Sequence, residues 1–133
     1  MLILTDNDVI GAVSVLRRIL ESPEWVDMTA TLELQFIALK DVELPVDAPD
    51  VAVWQRSQEV GALLITGNRS SGEGSLDQTL TEQAGPASLP VLTLGDPRRV
   101  IRDPVYAREC ALSGLDFVER IETLRGTQRL FIP

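Results

Sequence analysis

Three short polar stretches hold most of the residues able to do chemistry: Thr5-Asp6-Asn7-Asp8 near the N-terminus, Asp50, and Thr66-Gly67-Asn68-Arg69 with Glu73 and Asp77 beyond. All of them offer oxygen donors, the ligand type that Mg²⁺ and Mn²⁺ prefer. Carboxylates gathered around such ions activate water and stabilise a leaving oxygen in phosphodiester hydrolysis. The chain has no histidine, which removes Ser-His and Cys-His nucleophiles, HExxH zinc sites and imidazole acid-base chemistry. Cys110 is the one cysteine, so no disulfide or thiolate cluster forms within a chain. The loop Gly67 to Ser75 lacks the GxxxxGK[ST] and GxGxxG spacings of phosphate cradles, and no GxSxG elbow occurs. Whatever chemistry exists runs on carboxylates.

Each of these residues also has a structural use. Asp6 and Asp8 suit the cap of a following helix, and Asp50 is a candidate N-cap of another. Gly67-Asn68 is a natural turn pair, and Glu73 and Asp77 are common types for a solvated loop and a first helical turn. Thr66 stands behind the acids rather than among them. Arg98, Arg99 and Arg102 form a basic cluster; with Arg69 they can grip phosphates, or they can pair with Asp96 and Asp103. Trp25 and Trp54 read as core or interface anchors, and Cys110 as a small buried hydrophobe.

The elements that must position these residues follow from periodicity. Leu2 to Leu4 read as a strand, and Val9, Val13, Leu16 and Leu20 as a helix that Ser22-Pro23 ends. Residues 25 to 44 stay open between strand and helix, with Leu32, Leu34 and Phe36 alternating as in a strand. Val51 to Val60 reads as a helix closed by Gly61, and Ala62 to Thr66 as a buried parallel strand. A helix over Leu76 to Ala84 and a strand over Pro90 to Leu94 follow. Asp103-Pro104 then begins a long helix to about Leu124, and Gln128 to Ile132 is a last strand. Alternation at such short connections predicts one α/β domain over residues 1–133, a three-layer sandwich on a mainly parallel sheet.

At this length a domain buries roughly two-thirds of its unfolded surface, enough for a core without disulfide or metal staples. Twelve basic residues against twenty acidic give a net charge of −8, which disfavours coating of nucleic acid by bulk electrostatics. It does not oppose a metal-dependent nuclease, because bound divalent cations invert local charge. The opening residues read unlike a secretory signal, and no run approaches the ~18 apolar residues of a membrane span. The expectation is a cytoplasmic protein without a membrane partner.

The opening LTDND, the stretch Pro49-Asp50-Val51-Ala52-Val53-Trp54 and the strand exit Ala62-Leu63-Leu64-Ile65-Thr66-Gly67-Asn68 together resemble the small PIN-like proteins of the PIN-domain nuclease superfamily. The resemblance covers about residues 1–95, and it rests on the order and spacing of the motifs. It implies a PIN-like fold in which Asp6, with Asp8 nearby, is the first acidic position and Asp50 the middle one. Thr66 is then the strand-end hydroxyl, and Asn68 stands where the family usually has Asp. The implied activity is Mg²⁺- or Mn²⁺-dependent ribonuclease-type hydrolysis, with RNA as substrate. The implied assembly is a homodimer. An amide at Asn68 leaves the acidic site one charge short, and Asp77, or less readily Glu73, is the candidate replacement. The alternative expectation is a catalytically degenerate interaction module; a third is a small-ligand domain built on the Gly/Ser loop.

Overall fold

The computed structural model describes residues 1–133. Five strands form one parallel sheet: β1 (Leu2–Thr5), β2 (Gln35–Ala38), β3 (Ala62–Thr66), β4 (Val91–Leu94) and β5 (Arg129–Ile132), in the order β2-β1-β3-β4-β5. Between them run α1 (Ile10–Leu20), α2 (Val26–Thr31), α3 (Asp50–Val60), α4 (Leu76–Gln83), α5 (Pro97–Arg102), α6 (Pro104–Glu119) and the short α7 (Ile121–Leu124). Every residue of β3 and β4 is buried, as expected of inner strands covered on both faces.

Alternation within the strands sorts the core into two layers. Ile3, Leu63, Ile65 and Leu92 face α1, α5 and α6, whereas Leu4, Leu64 and Val91 face α3 and α4. The second layer contains no residue of β5. That corner is filled by a polar side chain, Arg129, considered below. The architecture is therefore the expected three-layer α/β sandwich, with all strand pairs parallel.

Local chemistry moves several of the expected boundaries. Residues 25–44 contain both alternatives: α2 ends at Thr31, Glu33 turns the chain at φ 52°, and β2 begins at Gln35. The first cap is Asp6, whose carboxylate accepts the Asn7 N–H at 2.8 Å, while Asp8 lies inside the 3₁₀ turn Asn7–Val9 that leads into α1. Asp50 does not cap α3; Pro49 holds the cap position and Asp50 falls in the first turn, where its charge complements the helix dipole. Sequence periodicity misses α5, which is one and a half turns long and capped by Asp96 through the Arg99 N–H at 3.1 Å. Pro104 forces the preceding Asp103 into extended backbone, so α5 cannot run on into α6. Asp103 does cap α6 as expected, accepting from the Val105 and Tyr106 N–H groups. The long helix stops at Glu119 and resumes only for Ile121–Leu124.

Candidate functional site

In an open parallel sheet a crevice forms where consecutive connections leave in opposite directions, outside the carboxyl ends of the strands. Here the chain passes from β1 to β2 on one side and then returns to β3 on the other, so the reversal lies between β1 and β3. The residues immediately beyond those two strand ends are Asp6, Asp8 and Thr66 to Asn68. Topology thus brings together two of the three polar stretches singled out in the sequence.

Thr66 is fully buried and is the hub of this crest. Its hydroxyl donates to Asp6 Oδ2 at 2.7 Å, lies 3.4 Å from Asp8 Oδ1, and accepts the Asn68 N–H at 2.9 Å. A hydroxyl carries one proton, so the short bond to Asp6 takes it and Asp8 receives little. The Gly67 N–H also approaches Asp8 Oδ1 at 3.4 Å. Neither carboxylate has a basic side chain in ion-pair contact. Burial, and next the neighbouring charge of Asp6, push the Asp8 carboxyl above the usual aspartate range, only partly offset by the Gly67 and Thr66 contacts. The crest stores two mutually repelling acids.

Gly67 makes the close approach feasible. A methyl group there would sit 3.0 Å from Pro97 Cγ, 3.2 Å from Asp8 Oδ2 and 3.2 Å from Val9 Cγ1, so the absent side chain lets the β3 exit, the first turn of α5 and the Asp8 carboxylate pack together. No sequence motif flagged Gly67 or Pro97 for this purpose.

The remaining candidates are not gathered into the pair. No group of three or more acidic or cysteine side chains stands close enough to hold one metal ion, so Asp50 does not complete a triad with Asp6 and Asp8. Asn68 turns its amide oxygen into its own loop, accepting from the Ser70 N–H at 2.8 Å and the Ser70 hydroxyl at 2.6 Å. Glu73 is exposed in that loop. Asp77, the expected replacement ligand, is instead ion-paired with Arg129 Nη2. Arg129 also donates from Nη1 to the Asn68 carbonyl and to Thr93 Oγ1, each at 2.8 Å. This guanidinium, 11% exposed, ties β5, β4, the β3 exit loop and α4 together. Sequence reading overlooked it, although a lone arginine opening an otherwise apolar strand was a signal that its face meets something polar.

Of the basic residues expected near substrate, Arg99 is occupied, bonding Asp103 Oδ2 at 3.2 Å and lying 4.3 Å over the Tyr106 ring. Arg69 and Arg98 are exposed and make no ion pair. Arg98 follows Pro97, the residue packed against Gly67.

Fold and site define a class: an open, all-parallel α/β sandwich with an uncompensated acidic pair at its topological switch. Compared with protein-family models, with curated proteins and with solved structures, the chain gives no significant match.

Proposed function

We propose that the β1/β3 crest is a divalent-cation site of a PIN-like phosphodiesterase whose acidic complement is incomplete, acting on RNA. The observation that carries this reading is the convergence of the Asp6 and Asp8 carboxylates on Thr66 without any cationic partner. Two hard, anionic oxygen ligands at partly open positions fit Mg²⁺ or Mn²⁺, which keep several waters and need few protein ligands. Such an ion supplies Lewis acidity and a water of lowered pKa. In this reading Asp6 and Asp8 hold it, Thr66 orients Asp6, and Asp50 lends charge from the start of α3. The exposed Arg69 and Arg98 receive substrate phosphates, a role Arg99 joins only by giving up Asp103. A cytoplasmic setting accompanies it, since the lone thiol of Cys110 is buried and needs no oxidising partner.

A second reading has its own observation. The Asn68 amide is committed to Ser70 and the Asp77 carboxylate to Arg129, so neither completes a carboxylate ring. This favours a PIN-like module that keeps the fold and a weak cation site without turnover. Cleavage of single-stranded RNA in Mn²⁺ by wild type, Asn68→Asp and Asp77→Asn separates the two. The proposed enzyme cleaves as wild type, and more strongly as Asn68→Asp, which keeps the acceptor for Ser70 and restores a charge. Asp77→Asn leaves its activity unchanged. If wild type is inactive and Asn68→Asp alone cleaves, the module is degenerate by one charge. If none cleaves RNA or DNA in any divalent metal, the nuclease reading is abandoned.

A further inference from the structure

Where Asp103 and Pro104 break α5 from α6, these two helices and α1 leave a groove of about 620 Å³ between them. Val100 and Ala107, both buried, lie at its base. Ile101 and Val105 stand above them, 59% and 69% exposed, high for aliphatic side chains that line one groove. Ile101 is laid against α1 because Gly11 has no side chain; a methyl group at Gly11 would come within 3.3 Å of Ile101 Cδ1. Packing within the chain therefore fixes this apolar wall without covering it.

The charges around the groove are uneven. Neither α1 nor α5 contains an acidic residue, and their Arg18 and Arg102 make no ion pair. Arg18 lines the groove and Arg102 follows Ile101. Arg108, also in the lining, is already held by Glu24. The α6 side differs: Glu109, four residues after Val105 and so on the same face of that helix, is exposed and unpaired. One wall of the groove is basic, and the opposite wall carries an acid.

We propose that the α1/α5/α6 groove receives an amphipathic helix of another protein. Its apolar residues fall at i, i+3 or i+4, and i+7 along one stripe. Acidic residues border that stripe on the flank that meets Arg18 and Arg102, and a basic residue borders it on the flank that meets Glu109.

The walls choose a helix over an extended segment. Three helices have closed their own backbone hydrogen bonds, so a strand laid between them would bury unpaired N–H and C=O groups, whereas a helix satisfies its own. The uneven charges then set its flanks. Because acid is wanted on one side and base on the other, they also fix the direction in which the helix runs. A nucleic acid suits the groove less well: its lining is aliphatic, offers no ring on which bases stack, and belongs to a chain of net charge −8. A second copy supplies no matching stripe from its α2, the one longer surface helix without a buried residue. Val26 and Met28 there are two residues apart and face different ways. The inference does not rest on the cation site, since none of the residues it uses belongs to the β1/β3 crest.

A displayed library of helical peptides of about four turns tests it, with Leu fixed along the stripe and both flanks drawn from Glu, Lys, Gln and Ser. Selection on the wild-type protein enriches peptides with Glu on one flank and Lys on the other. By fluorescence anisotropy at low salt, the selected peptide binds about tenfold more weakly, or worse, to Ile101→Asp and to Val105→Asp. It binds unchanged to Phe131→Asp, at an exposed apolar residue of β5. Arg18→Glu and Arg102→Glu each weaken it about fivefold, and exchanging its Glu flank for Lys reverses their order with wild type. These two charge variants carry the test if an aspartate variant melts below wild type. A library that yields no binder, binders without the acidic flank, or binding that survives all four variants overturns the proposal. So does a wild type of twice the 14.6 kDa chain mass that Ile101→Asp reduces to single chains, which gives the groove to a second copy. Binding of single-stranded RNA that Ile101→Asp abolishes overturns it as well.

Discussion

Thr66 and Thr93 are register partners on adjacent strands, both fully buried, yet they serve opposite charges. The Thr66 hydroxyl donates to a carboxylate in a pair that no cation neutralises; the Thr93 hydroxyl accepts from the guanidinium of Arg129, which Asp77 neutralises. The β4/β5 corner therefore closes its electrostatics within the protein. The β1/β3 crest leaves them open. Buried or half-buried charge costs stability unless it is paired, so the acidic pair is a cost that a cation bound from outside would offset on the function proposed above, while the compensated arginine is scaffolding.

The largest expected effect comes from opening the closed corner. Arg129→Met keeps much of the stem but strips donors from the Asn68 carbonyl, Thr93 Oγ1 and the Asp77 carboxylate. Asp77 is 44% exposed and recovers part of its solvation from water, which reduces the loss below that of a fully buried pair. A cost of about 2 to 3 kcal/mol, or about 10 °C in Tm, is expected. Asp77→Asn, which retains one acceptor, costs about 1 kcal/mol. A thermal melt of Arg129→Met within 2 °C of wild type, roughly the range of an inert surface change, would show that the corner is not held by this network.

The next effect reverses the comparison by supplying the cation that the crest lacks. At a hundredfold excess over Kd, Mn²⁺ stabilises a protein that binds it only when folded by about 2.7 kcal/mol. Wild type and Asp77→Asn are expected to share this gain, and Asp6→Asn to lose most of it. Equal gains in wild type and Asp6→Asn would remove the crest as the binding place. Loss of the gain in Asp77→Asn would mean that Asp77 leaves Arg129 for the ion.

The sequence carried the sheet because its signals are local. Ala62 to Ile65 is an unbroken apolar run with Gly61 at φ 71° before it, and such a run has few other uses. The acidic pair was also visible, since Asp6 and Asp8 follow a strand directly. What could not be read was pairing between distant positions. Asp77 and Arg129 are 52 residues apart, and each alone has the appearance of a surface residue. The short helix α5 escaped because six residues give less than two turns of periodicity. The role of Gly67 escaped because it depends on Pro97, thirty positions later, packing against it. Asp50 reads as a cap because aspartate commonly caps helices, but Pro49, with its fixed φ, occupies that position.

The smallest effect tests the raised carboxyl of Asp8. Asp8 has its carboxyl raised in the folded protein by burial and then by the charge of Asp6. The folded state therefore holds the Asp8 proton to higher pH than the unfolded chain does, and stability falls as pH rises from about 3.9, the ordinary aspartate value, through the raised folded value. Asn cannot ionise, and it retains an acceptor for the Gly67 N–H. Asp8→Asn should thus match wild type near pH 3, when Asp8 is neutral in both states, and become the more stable of the two as pH rises towards 7. Because Asp8 is half exposed, the difference at neutral pH is a small one, read as a Tm difference that grows with pH and then levels off. Saturating Mn²⁺ at pH 7 should turn its sign, since the carboxylate that weakens the empty crest is the one that holds the ion. If the difference is flat with pH, neither burial nor the charge of Asp6 raises the Asp8 carboxyl in the folded protein. If it has the expected slope but Mn²⁺ leaves its sign unchanged, the Asp8 carboxyl is raised as its surroundings require and Mn²⁺ is not held at the crest.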